Sequence, residues 1–112
     1  MAEGRPFKEG PEYIGTTGDD IYVPAAGTKA LVYQIHVANT TASAALVSLY
    51  KGATGAETGG TELCKDHSIA ANSEYDLYFP SGLVLVETTF LVGDADGASE
   101  LAVTVMGELF VA

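Results

Sequence analysis

Lys29-Ala30-Leu31-Val32-Tyr33-Gln34-Ile35-His36-Val37-Ala38 is the stretch that decides the fold class. Leu31, Tyr33, Ile35 and Val37 recur at every second position, with Gln34 and His36 on the other face. That period lays one apolar row along one side of an extended chain, the pattern of a half-buried strand and not of a helix. Asn39-Thr40-Thr41-Ala42-Ser43 follows as a polar turn. Ala44–Tyr50 then returns with Ala45, Val47 and Leu49 on one face. The two strands are expected to pair as an antiparallel hairpin. The Ala-rich start of Thr41–Tyr50 is the one place where a helix competes.

Working outward, Asp20–Val23 reads as a short strand stopped by Pro24. In the turn Pro24–Thr28, proline fixes φ and Gly27 permits positive φ. Gly52–Gly60 carries glycines at 52, 55, 59 and 60 and reads as a loop. Thr61–Ser68 is a weak strand, and Glu74–Phe79 alternates cleanly. Pro80-Ser81-Gly82 reads as a turn, followed by the apolar strands Leu83–Glu87 and Thr89–Val92. Gly93–Ala98 reads as a tight turn. Glu100–Val111 is the final strand, and Gly107 within it marks a bulge or a close backbone approach. No window keeps a helical apolar stripe. The expectation is therefore all-β: a single small antiparallel β-sandwich, jelly-roll-like, of about eight strands.

Composition bounds the function. The chain has 112 residues, 47% hydrophobic and 18% charged, which suits one folded domain and excludes a disordered one. Five basic against fifteen acidic residues leave a net charge of -10. That opposes binding to nucleic-acid phosphates or to an anionic membrane surface. All five basic residues lie at or before Lys65, while Asp66–Ala112 holds eight acidic ones, so the second half is expected to form an acidic face. The start lacks an apolar signal region and no apolar run approaches a membrane span, so a soluble protein made in a cytoplasm is expected. Residues 1–14 are expected to be a flexible N-terminal arm and residues 15–112 the β-sandwich domain. The arm's candidate partner-binding residues are Arg5, Pro6, Phe7, Lys8 and Tyr13. The apolar end Leu109-Phe110-Val111-Ala112 is expected to be paired in a sheet or held in an interface. Small domains often gain stability by oligomerising, which favours a homo-oligomer.

Candidate chemistry is sparse. One cysteine excludes an intrachain disulfide and a multi-cysteine zinc site. Cys64, Asp66 and His67 bring together the residue types of a nucleophilic site, but odd spacing on a strand points Cys64 and His67 to opposite faces. His36 and His67 lack a third metal ligand at a diagnostic spacing, so no metal is expected there. Asp94-Ala95-Asp96-Gly97 begins like a Ca²⁺ loop, but position 12 is Val105 where an EF-hand needs Glu. A looser Ca²⁺ site of Asp94, Asp96 and Glu100 stays open beside the reading as a plain Asp-Gly turn. Asn39-Thr40-Thr41 is a glycosylation sequon that reads here as a turn. Tyr13, Tyr22, Tyr50 and Tyr78 are candidates for stacking on sugar rings or on a protein partner. No enzyme signature and no cofactor motif is present.

Ile21-Tyr22-Val23-Pro24-Ala25-Ala26-Gly27-Thr28 leading into Lys29–Val32 carries a resemblance, continued by Ile35–Thr41 and Ala45–Tyr50. Gly82–Val86 and Ala102–Glu108 extend it. Together they resemble small tailed-bacteriophage virion structural proteins, with Ala26 lengthening the Pro-Ala-Gly turn by one residue. The resemblance implies a β-sandwich of the virion, a capsid decoration protein on the outer surface of the head. It implies the major capsid protein and further copies of itself as partners, as a homotrimer at a local three-fold position. A tail-associated or receptor- and carbohydrate-binding module is the alternative. No catalytic residue carries over.

Overall fold

The computed structural model describes residues 4–16, 19–52, 62–97 and 99–111. Eight strands make up the domain: β1 (Arg5–Tyr13), β2 (Asp19–Tyr22), β3 (Thr28–Asn39), β4 (Ala45–Gly52), β5 (Glu62–Ile69), β6 (Glu74–Leu85), β7 (Phe90–Ala95) and β8 (Leu101–Val111). They form two four-stranded antiparallel sheets, ordered β1-β8-β3-β6 and β2-β7-β4-β5. The path is a long hairpin rolled up. Folding the chain back between β4 and β5 pairs β4 with β5, β3 with β6, β2 with β7 and β1 with β8. Rolling that ribbon adds the β3–β8 and β4–β7 pairs. This is the jelly-roll sandwich, so the expected fold class holds.

The core lies between the sheets. Val32, Ile35, Val37, Leu85, Leu101, Val103 and Val105 from the first sheet meet Ile21, Val47, Leu49, Ile69 and Leu91 from the second. Tyr50, Phe90 and Val92 are buried outside that core, on the opposite face of the second sheet. Stacked rings close both flanks of the sandwich. Phe7 on β1 stacks on Tyr22 on β2 at 5.1 Å between ring centres, and His67 on β5 stacks on Tyr75 on β6 at 3.7 Å. Each pair links the edge strands of opposite sheets.

Four expectations are corrected. Residues 5–13, expected in a flexible arm, are strand β1, paired with β8 from Arg5↔Leu109 to Tyr13↔Ala102. The apolar edge of β8 supplies a partner that the Gly- and Pro-rich composition of this segment concealed. The β3–β4 hairpin does not form, because the two strands lie in different sheets. Two amphipathic strands bury their apolar rows equally well side by side or across a core, and here the corner between them decides. Asn39, 3% exposed, donates from Nδ2 to the carbonyls of Ser43 (2.8 Å), Ile69 (2.9 Å) and Ala70 (3.2 Å). Its Oδ1 accepts from the Thr41 backbone N–H (2.9 Å) and hydroxyl (2.8 Å). The corner is thereby tied to the β5–β6 turn, and the sequon asparagine is inaccessible.

The third correction is in β6, which continues through the expected turn at Pro80-Ser81-Gly82 as an irregular bulge between Tyr78 and Leu83. The last is in β3, whose alternation breaks at Tyr33. Val32 pairs with Gly107 and Gln34 with Met106, so Tyr33 is an extra residue opposite a continuous β8. Leu31 and Tyr33 therefore leave the core side, while Val32 takes the inward place. Gly107 makes room for this bulge: a Cβ there would meet the Leu31 carbonyl and lie 2.9 Å from the Val32 Cα. Gly107→Ala is expected to cost about 3 kcal/mol, since backbone and not a flexible side chain stands in the way. Chemical denaturation checks this, and an unchanged midpoint would contradict the contact.

Candidate binding face

The register places the outward side chains of the first sheet in rows across all four strands. Tyr13, Ala102, Ala38 and Glu74 make the top row. Thr104, His36 and Asp76 make the next, followed by Lys8, Met106, Gln34 and Tyr78. Pro6, Glu108, Leu31 and Val84 make the fourth row, and Phe110 beside Lys29 lies at the bottom. Tyr78 is 66% exposed, Tyr13 55%, Val84 39% and Tyr33 37%. Leu31, Met106 and Phe110 are half-buried among them. The result is a broad face of aromatic and aliphatic side chains, with Lys8, Glu74 and Asp76 on its edge strands and His36 and Glu108 on its central ones.

Hydrogen bonds fix its polar members. The Tyr33 hydroxyl donates to Glu108 Oε1 at 2.8 Å, and that bond raises the Tyr33 pKa above the ordinary tyrosine value. Gln34 Nε2 donates to Asp76 Oδ1 at 2.9 Å, and His36 Nδ1 lies 2.7 Å from the same oxygen. His36, then Gln34, hold the Asp76 carboxyl below the usual aspartate value. Glu74 stands 4.0 Å from His36 Nε2. Lys29 Nζ lies 5.8 Å from the Phe110 ring centre.

The sequence-derived candidates divide on this geometry. Arg5, Pro6, Lys8 and Tyr13 are exposed on β1, whereas Phe7 turns inward and packs on Tyr22. Tyr13 and Tyr78 are on the face. Tyr50, 4% exposed, and Tyr22, half-buried under Phe7, are not available for stacking on a ligand. Tyr33, Gln34, Asp76, Met106 and Glu108 are additions: Tyr33 because strict alternation along β3 puts it inside, the other four because a polar or outward position on a strand does not by itself mark a binding face. The signal was Gly107, whose bulge breaks that alternation.

Cys64 and His67 point to the same face, contrary to the odd-spacing argument. They pair with Leu49 and Val47, so Lys65 and Asp66 stand opposite Ser48 alone. Asp66 takes a φ of 48°, and its N–H donates to Ser48 Oγ at 2.9 Å. The bulge turns both side chains inward, where Cys64 packs against the core and His67 stacks on Tyr75. Burial pushes the Cys64 thiol up, the reverse of what a thiolate nucleophile needs. His36 sits on the outer face of the first sheet and His67 inside the sandwich on the second, so they share no site.

Asp96 and Glu100 come together, and Asp96 Oδ1 also accepts the Leu46 N–H at 3.1 Å. Among the described residues no group of three or more His, Cys, Asp or Glu is arranged to hold a metal, so the trio Asp94, Asp96 and Glu100 is not assembled as a Ca²⁺ site. Hydrogen bonding to Asp96, then burial, pushes the Glu100 carboxyl up.

No family model and no curated protein matches the chain. Among solved structures it is similar to PirA at TM-score 0.42 and 15% identity, covering 96% of this chain and 94% of that one. It is also similar to a structure of infectious bursal disease virus, Gx strain, at TM-score 0.35 and 9% identity, covering 96% of this chain and 29% of that one. Likeness at this level carries nothing about activity or partners.

Two outcomes test these assignments. A carboxyl whose folded pKa is raised loses stability as pH rises from its unfolded value through the folded one. Glu100→Gln is therefore expected to raise Tm at neutral pH, with the gain vanishing below the ordinary glutamate value of 4.5. Thermal melts across that range check the sign, and a gain that persists at low pH would contradict it. Asn39→Ala is expected to cost about 3 kcal/mol, from lost bonds and carbonyls left without a donor. A loss under about 1 kcal/mol in urea titrations would contradict the corner's role.

Proposed function

We propose that this chain is a non-enzymatic assembly protein, a capsid decoration protein that binds the outer surface of an assembled tailed-phage head as a homo-oligomer and stabilises it. The observation that carries the reading is the outer face of the first sheet, with Tyr78, Tyr13, Val84 and Tyr33 exposed together. Large aromatic and aliphatic side chains exposed on one face, interspersed with polar groups, are a feature of interaction sites on soluble proteins. The chain's reactive side chains, by contrast, are occupied in packing or hydrogen bonding: Cys64 in the core wall, His67 on Tyr75, His36 on Asp76. The sequence resemblance to tailed-phage virion proteins supports the major capsid protein as partner.

The mechanism is additive contact. Each copy bridges neighbouring shell subunits, so separation must break several interfaces at once. A sandwich clamped at both flanks by stacked rings presents its surfaces already ordered, which lowers the entropic cost of docking. Neither a cofactor nor a metal takes part. The exposed tyrosines favour a second reading, a tail-associated glycan-binding module, which predicts retention on immobilised host glycans and its loss in Tyr78→Ala.

The test is co-sedimentation of the purified protein with undecorated shells of its own phage. The expected result is saturable binding at micromolar protein and a raised temperature of shell breakage. Absence of co-sedimentation at about 50 µM, where even a weak specific contact is populated, would overturn the decoration reading.

A further inference from the structure

The face that carries this reading is complementary to itself, and we propose that its occupant is a second copy of the chain, in a two-fold, face-to-face dimer. The inference rests on reading that face as protein-binding, and it needs no shell. Edge-to-edge growth of the first sheet is disfavoured. Its free edges are β1, with Pro6 and Pro11, and β6, with Pro80 in an irregular stretch. Proline withholds the N–H that an added strand requires. Within the first sheet, the broad face is left as the surface for association.

Charge selects between the two ways of stacking the face on itself. A two-fold axis across the strands lays β1 over β1, and passed through the middle of the face, where the overlap is complete, it brings Lys8 against Lys8. A two-fold axis along the strands lays β1 over β6 and β8 over β3. That arrangement sets Lys8 over the partner copy's Tyr78 and within a lysine's reach of its Asp76. It also sets Pro6 over Val84 and Phe110 over Lys29, repeating between copies the cation–ring contact already made within one. Every one of these contacts occurs twice, as a two-fold interface requires. Cations over aromatic faces and oppositely charged neighbours are the favourable partners for the lysines.

Size bounds what the face can bury. Four strands spaced about 4.8 Å apart, each presenting a nine-residue length like that of β1 at about 3.4 Å per residue, make a face of about 600 Å². Two copies would bury about 1,200 Å² in total, the lower limit for specific interfaces. Weak, reversible contacts sit at this end of the size range, so a micromolar dissociation constant is the expectation the experiment is set to reach. A two-fold pair differs from the homotrimer that the sequence resemblance implies, and oligomeric state separates them.

Sedimentation velocity of the full chain over about 1–200 µM is the test, a range that spans a micromolar dissociation constant. The wild type is expected to pass from monomer to dimer within it. Lys8→Glu and Asp76→Lys should each weaken the dimer about tenfold or more, and the double variant K8E/D76K should recover it. Tyr78→Glu, at a position far outside the core, is the second disrupting variant should Asp76→Lys fail to fold, which circular dichroism reports. A wild type that stays monomeric or forms trimers would overturn the proposal. So would single variants that dimerise normally, or a double variant that does not recover. Monomeric protein that still co-sediments with shells would remove the dimer and leave the decoration reading standing. A dimer that ignores shells would do the reverse.

Discussion

The Leu31 carbonyl packs where Gly107 has no side chain, and the outer surface of the first sheet depends on that contact. Without a Cβ at 107, β3 holds one more residue than β8 opposite it, and the inward places shift. Val32, Ile35 and Val37 fill the core, while Leu31 and Tyr33 stand outside it. A regular β3 would bury Tyr33 and expose Val32. One backbone contact thereby decides whether this sheet shows water a polar surface or a sticky one.

The rest of the molecule holds that surface rigid. Asn39 ties the corner after β3 to the turn between β5 and β6, using both ends of its amide. The Phe7–Tyr22 and His67–Tyr75 stacks close the flanks where strands lack a neighbour on one side. A small domain buries a modest share of its chain, so such ties matter more than in a large one. The same economy explains why Cys64 and His67 look chemical in the sequence and act as packing. A small sandwich has little interior to spare, and the flanks take whatever side chains reach them.

Much of the fold was legible, and the failures share a cause. The period-two rows of β3, β4 and β8 identified strands, and Pro24 with Gly27 identified a turn closed by the Thr28 N–H on the Ala25 carbonyl at 3.0 Å. The jelly-roll class followed from the number and spacing of such segments. Pairing did not follow, because an apolar row reports that a strand faces a core and not which strand lies beside it. Side-chain direction failed at Tyr33 and at Asp66, where a single inserted residue inverts everything on one side of it. The candidate face was half legible: Tyr13, Tyr78, Pro6 and Lys8 stand out in the sequence and the period of β8 turns Met106 and Glu108 outward, but Tyr33 needed the bulge. β1 was missed because its partner lies at the other end of the chain.

The central claim is that the first sheet's outer face is covered when the protein is assembled, and tyrosine footprinting tests it most directly. Oxidative labelling of the dilute, isolated protein should modify Tyr13, Tyr33 and Tyr78 while sparing Tyr50, with Tyr22 intermediate. In the assembled state, on shells or at high concentration, the account predicts protection of Tyr13, Tyr33 and Tyr78 with no change at Tyr22 or Tyr50. Equal labelling of the three face tyrosines in both states would contradict it.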